Sequence, residues 1–126
     1  MSSPTPVNPP QFPGNPAFVQ GMILPAAPTL YVGGQNGVDA DGTLLDGLQA
    51  QTEQALRNVL AVLAEAGTDA DHTAKLTIYL DPSVDPNPAY AASRAVWTAR
   101  TAVTVLAIAP AREGALVEIE AVAMVP

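Results

Sequence analysis

The stretch TAVTVLAIA, Thr101 to Ala109, carries no charge, and its only polar side chains are two threonines. Such a run predicts a strand. From Ala102 to Ala109 both faces of that strand are apolar, and a strand apolar on both faces expects cover on both. Helices of the same chain can supply one cover. The other needs a partner, and a further copy of the chain is the cheapest one. The pattern therefore predicts a homo-oligomer. It also isolates Arg100, whose guanidinium stands at the entrance to this dry run.

Two segments predict helices. In DGLQAQTEQALRNVLAVLAEAGTD, Leu48, Thr52, Ala55, Leu56, Val59, Leu60 and Leu63 recur at steps of three and four, an amphipathic pattern with Asp46 as N-cap and Gly67 as the closing glycine. In PSVDPNPAYAASRAVWTA, Asn87 caps and Pro88 fits the first turn, where no amide hydrogen is needed. Residues Ala17 to Val38 read as two short strands punctuated by Pro25 and Pro28, the second ended by Gly33-Gly34. HTAKLTIYLD predicts a further strand, and RTAVTVLAIA and ALVEIEAVAMV predict two more, joined by PAREG as a hairpin loop. The first sixteen residues hold six prolines and are expected to lack regular structure. The result is an α+β fold of order ββαβαββ, with one mixed sheet and two helices on one face. Residues 17–126 are expected to form a single domain behind a proline-rich arm, residues 1–16.

Charge narrows the function. Twelve acidic against five basic residues give a net charge of −7. A nucleic-acid partner calls for a basic patch that displaces counterions, so none is expected. Attraction to an anionic membrane is disfavoured as well, and no apolar run reaches the ~18 residues of a spanning helix. MSSPTPVNPPQFPGNP lacks the basic start and apolar core of a signal peptide, so a cytoplasmic location is expected. Without cysteine there is no thiolate nucleophile, and with His72 as the single histidine the usual transition-metal ligands are missing. No metal site is expected, and His72 reads as a solvated turn residue. The serines lack a GxSxG setting, and GGQNG lacks a Walker lysine, so it reads as a turn.

Arg100, Glu118 and Glu120 remain. Glu118 and Glu120 stand two apart on one strand and share a face. They lie among the most apolar segments of a chain poor in charge, where unpaired charges are costly. A structural ion pair is the plain reading. The functional one is a pocket in which the arginine fork grips a small carboxylate and a glutamate holds or deprotonates a water. Trp97, Tyr79 and Tyr90 read as core or subunit-interface residues, Phe18 as a pocket residue.

In order and spacing, four stretches resemble the RidA (YjgF) family of enamine/imine deaminases: YVGGQNGVDADG, QTEQALRNVLAVLAEAG, NPAY, and ARTAVTV with LVEIEAVA. The resemblance implies a chorismate-mutase-like fold and a homotrimer with clefts between subunits. It also implies cofactor-free hydrolysis of reactive 2-imino acids to 2-keto acids and ammonia, a detoxifying reaction. By the same resemblance, Arg100 matches the carboxylate-gripping arginine and Glu118 the glutamate that positions water. Gly34 falls in the strand end lining the cleft, and Asn87 matches a pocket-side asparagine. The chain departs from the family at Phe18 (often tyrosine), Gly33 (usually serine) and Ala102 (commonly cysteine), positions that set pocket polarity. The approach from Tyr90 to Arg100 is shorter than expected and the APAREG loop longer, which suggests a divergent subgroup. Two alternatives stay open: a trimer that binds a small carboxylate without turnover, and a hydrolase of a different C–N bond.

Overall fold

The computed structural model describes residues 3–126. Its elements are β1 (Thr5–Val7), β2 (Phe18–Val19), β3 (Gly21–Ile23), β4 (Thr29–Gln35), α1 (Leu48–Glu65), β5 (Thr73–Leu80), α2 (Pro86–Val96), β6 (Thr101–Ala107) and β7 (Val117–Met124). The main sheet runs β2-β6-β5-β7-β4 and is mixed: β6 is parallel to β2 and β5, while β7 is antiparallel to β5 and β4. Both helices cover one face. Leu56, Val59 and Leu63 of α1 pack with Leu76 and Leu80 of β5 and with Val117, Ile119, Ala121 and Ala123 of β7, and Trp97 closes the cluster beyond α2.

The α+β architecture and the ββαβαββ order of the main body agree with the sequence pattern. Several local expectations do not. The expected hairpin between the two closing strands is absent, because β5 lies between β6 and β7. The segment after β6 instead crosses the end of β5, held by the Ile108 N–H on the Leu80 carbonyl (2.9 Å) and the Asp81 N–H on the Leu116 carbonyl (3.0 Å). A span of two strand spacings, about 10 Å, requires a longer connection than a hairpin does. Gly33-Gly34 does not end its strand. β4 continues to Gln35, with its register against β7 shifted between Val32 and Gln35, as glycines at a bulge allow. The arm is not wholly irregular: β1 pairs antiparallel with β3, Pro6 opposite Met22, a place that a two-stranded edge leaves to proline.

The caps also move. Gly47 precedes α1 at φ +90° with no side-chain cap, so Asp46 does not serve there. At the other end Gly67, at φ +82°, donates to the Ala64 carbonyl (3.0 Å) while the Thr68 N–H reaches the Leu63 carbonyl (2.9 Å), the expected glycine closure. For α2 the cap is Asp85, whose carboxylate accepts the Asn87 N–H at 3.0 Å, and Pro86 takes the first turn. The sequence DPNP offers two cap-proline pairs, and the upstream one is used because it adds further helix.

Alternation in the strands sorts the second face. By cross-strand register it carries Lys75, Thr77 and Tyr79 of β5, Ala102, Thr104 and Leu106 of β6, Glu118, Glu120 and Val122 of β7, and Tyr31 of β4. Tyr31 is 76% exposed and Leu106 44%. The single chain thus leaves this face of the dry strand open, and on the helix side the cover lapses along β6, from buried Thr101 to exposed Val105.

Candidate functional site

Glu118 sits in the second position of β7, where Ile119 and Val117 on either side of it are fully buried against α1. That burial fixes the strand and turns Glu118 to the open face. Diagonal to it, β4 bulges at Gly33-Gly34, between the Val32–Ala121 and Gln35–Ile119 pairs. Gly34 comes so near that an added Cβ would meet Oε2 of Glu118 and lie 2.8 Å from its carboxyl carbon. Asn36 completes the seat: its Nδ2 donates to the Val117 carbonyl (3.2 Å) and to Oε1 of Glu118 (3.4 Å).

The α1 residues that match the family pattern hold this seat rather than line it. Asn58 Nδ2 donates to the carbonyls of Asn36 (3.1 Å) and Val38 (2.9 Å), which ties the end of β4 to the helix. Gln51 is buried and bridges three segments. Its Nε2 donates to Leu45 O (3.0 Å) and Gly114 O (3.3 Å), and its Oε1 accepts the Leu116 N–H (2.8 Å). Gly37 lets the loop pass this close, since a Cβ there would lie 2.6 Å from the Gln51 carbonyl oxygen.

Beside Glu118 lie two residues whose part depends on register. Tyr79 is directly across the β5–β7 pair from Glu118, and its hydroxyl donates to Oε1 of Glu120. The hydrogen bond to Glu120 raises the Tyr79 pKa above its ordinary value, with burial and the charges of Glu120 and Glu118 adding to it. Gly34, Tyr79, Glu118 and Glu120, with the Ile108–Ala111 segment, line a cleft of about 240 Å³. Tyr79 is therefore a site-lining residue, and neither it nor Asn36 was marked by the sequence pattern as part of the site. Strict alternation along β5 puts Tyr79 on a face with Thr77 and Lys75, but its match to Glu118 needs the strand order.

Arg100 lies elsewhere. It precedes β6, whereas Glu118 stands level with Leu106 near the other end of that strand. Six residues along the strand make about 20 Å, with two strand spacings across adding about 10 Å. One chain does not bring the two together. Arg100 is exposed and its Nη2 donates to the carbonyls of Asn15 (2.7 Å) and Phe18 (3.2 Å). It forms no ion pair with a carboxylate among the described residues, where the pairs are Arg57–Glu53 and His72–Asp69. The plain reading of Arg100 as a structural ion pair thus fails within the chain. Two carbonyls steady one nitrogen, and among the described residues no hydrogen bond is made by Nη1 or Nε, donors of the kind that match a carboxylate.

The remaining candidates scatter. Ala102 follows Arg100 on the open face beside Lys75, and Gly33 is exposed, its carbonyl accepting from Gln35 Nε2 at 3.1 Å. Phe18 lines a different, apolar cavity under α2, where Arg100 is not among the lining residues. Asn87 is exposed in the first turn of α2 and lines neither hollow. His72 forms a short turn with Asp69, its Nδ1 2.7 Å from that carboxylate.

A family model described as Endoribonuclease L-PSP matches residues 12–125. The chain is 32% identical over 136 aligned positions to the mitochondrial protein mmf1 of Schizosaccharomyces pombe, covering 98% of this chain and 78% of that protein. Its fold resembles that of YyfB, a member of the conserved Rid protein family from Yersinia pestis, with TM-score 0.86 at 29% identity over 97% of this chain and 98% of that one. RidA from an Antarctic Psychrobacter species is similar at TM-score 0.72 and 26% identity, over 85% of this chain and 87% of that one.

Proposed function

From the premise that this chain belongs to the RidA/YjgF family, we propose that it hydrolyses small 2-imino or enamine acids to 2-keto acids and ammonia, at a cleft shared by two copies. Family membership itself supports a general role in imine or enamine deamination or related chemistry. No helix among the described residues is long and apolar enough to cross a membrane.

The observation that carries the proposal is the division of labour along the sheet. Glu118 is seated by Gly34 and Asn36 at one end, and Arg100, steadied but unpaired, waits at the other. Neither half is a site alone. A second copy laid against the open face brings the Arg100 of one chain to the Glu118 of the next and covers Leu106 and Tyr31, as the dry strand requires. A cyclic trimer closes such a head-to-tail contact.

The reaction asks little of the residues. The imine carbon is already electrophilic, so fixing the carboxylate on Arg100 and a water on Glu118 supplies proximity and orientation. The nitrogen enters protonated, as an iminium; water oxygen adds to its carbon as Glu118 takes one water proton, which leaves a carbinolamine. Glu118 returns that proton to the amine nitrogen, and the C–N bond then breaks to release ammonia as the hydroxyl proton passes back to Glu118 and the C=O forms. The net charge of −7 weighs against RNA as a substrate. The test generates 2-iminopropanoate from alanine with an amino-acid oxidase and follows loss of the imine. Arg100→Ala and Glu118→Gln are each expected to fall to the buffer rate. A protein that binds 2-ketobutyrate through Arg100 but never exceeds the buffer rate is a binding trimer instead.

A further inference from the structure

The helix-covered face holds a second hollow of about 380 Å³, between α2 and strands β5 and β6. It arises because the residues α2 turns inward are small. Ala89, Ala92 and Ser93 cannot fill the space above Leu76, Leu80 and Val103, and α2 ends at Val96. At the rim stand Tyr90 and Val105, 52% and 54% exposed. Arg94 is the one charged residue lining the hollow; no carboxylate lines it. Among the described residues Arg94 takes part in neither ion pair. In a chain with twelve acidic residues, a cation left without an acid at an apolar mouth selects for charge.

The geometry points to a binding site for an amphipathic monocarboxylate, with its apolar tail between α2 and the sheet and its carboxylate on Arg94. An apolar cavity of about 150 Å³ takes one benzene, so this one has room for an aryl-alkyl group or a chain of roughly eight to ten carbons. Pockets of such size and lining are the ordinary form of a small-molecule site. The hollow adjoins the Arg100 end of the proposed imine cleft through Phe18, which lines it and whose carbonyl accepts from Arg100, but Arg100, Glu118 and Gly34 do not line it.

The test titrates methyl-labelled protein with octanoate and, in parallel, with 1-octanol, reading the methyl signals of Leu76, Leu80, Val103 and Val105. Octanoate is expected to move these signals saturably. Arg94→Gln should weaken octanoate about fivefold, the scale of an exposed ion pair, and leave octanol unchanged. Val105→Trp, which fills the mouth, should abolish both while the mass by light scattering stays that of the unaltered protein. Three results overturn the site: unmoved methyl signals, octanoate binding no tighter than octanol with Arg94→Gln silent, or a changed oligomeric mass in Val105→Trp. The last would make the hollow a contact between copies.

Discussion

Gly34 and Glu118 meet across the β4–β7 pair with no room for a side chain: a Cβ at position 34 would lie 2.8 Å from the Glu118 carboxyl carbon. Gly34 has no left-handed backbone to protect, so alanine is conformationally acceptable there. Gly34→Ala should therefore fold normally and displace the carboxylate. A shift of about 1 Å in a positioned group can cost about a hundredfold in rate. Loss of kcat/KM on that scale, with thermal stability near that of the unaltered protein, is the expected result. Unchanged kinetics would show that Glu118 does not need this seat.

Gln51 is the structural counterpart of that seat. Truncation to alanine strips partners from the partly buried Leu116 N–H and from two carbonyls. Unsatisfied buried groups of this kind cost about 1–3 kcal/mol each when water cannot replace the bond. Gln51→Ala should lower unfolding free energy by about 2–4 kcal/mol in denaturant titration. Because Leu116 leads directly into β7, activity should drop more than the folded fraction does.

Tyr79 and Asp81 each add a pH-dependent increment to stability. Tyr79 is held protonated by its hydrogen bond to Glu120, so its pKa lies above the ordinary 10.0. The unfolded chain loses that proton first, so this stabilisation is full below pH 10.0 and disappears as pH rises through the raised value. Asp81 behaves oppositely. The Ser83 hydroxyl and then the Ser83 N–H lower its pKa below 3.8, and its contribution is lost as pH falls through that lowered value. Tyr79→Phe should reduce the pH dependence on the alkaline side and Ser83→Ala that on the acid side, each leaving the other side unchanged, as read by denaturant midpoints across pH.

What could be read from the chain divides along a physical line. α1 was legible because its apolar period and its closing Gly67 are local facts. The strand after Arg100 announced that it needs two covers, and the chain provides only part of one. Strand order was not legible, since β5 separates β6 from β7 by pairings remote in sequence, and the assumed hairpin failed on that account. The same gap explains the site. Gly34 and Glu118 could be named singly, but the Tyr79–Glu120 hydrogen bond and the Asn36 contact to Glu118 exist only once β5 and β4 flank β7. Asp85 displaced Asn87 as the cap because both obey one rule and only chain context chooses.

In the proposed mechanism Arg100 and Glu118 act together only across two copies, and subunit mixing separates this from a site within one chain. Arg100→Ala and Glu118→Gln proteins, each inactive, are unfolded together in equal amounts, refolded, and assayed for imine hydrolysis. Random assembly of a cyclic trimer gives each cleft an intact arginine from one chain and an intact glutamate from the next about a quarter of the time. Recovery of roughly a quarter of the unaltered activity is the predicted result. A mixed, refolded sample that stays at the buffer rate while the unaltered protein regains activity under the same treatment would contradict it.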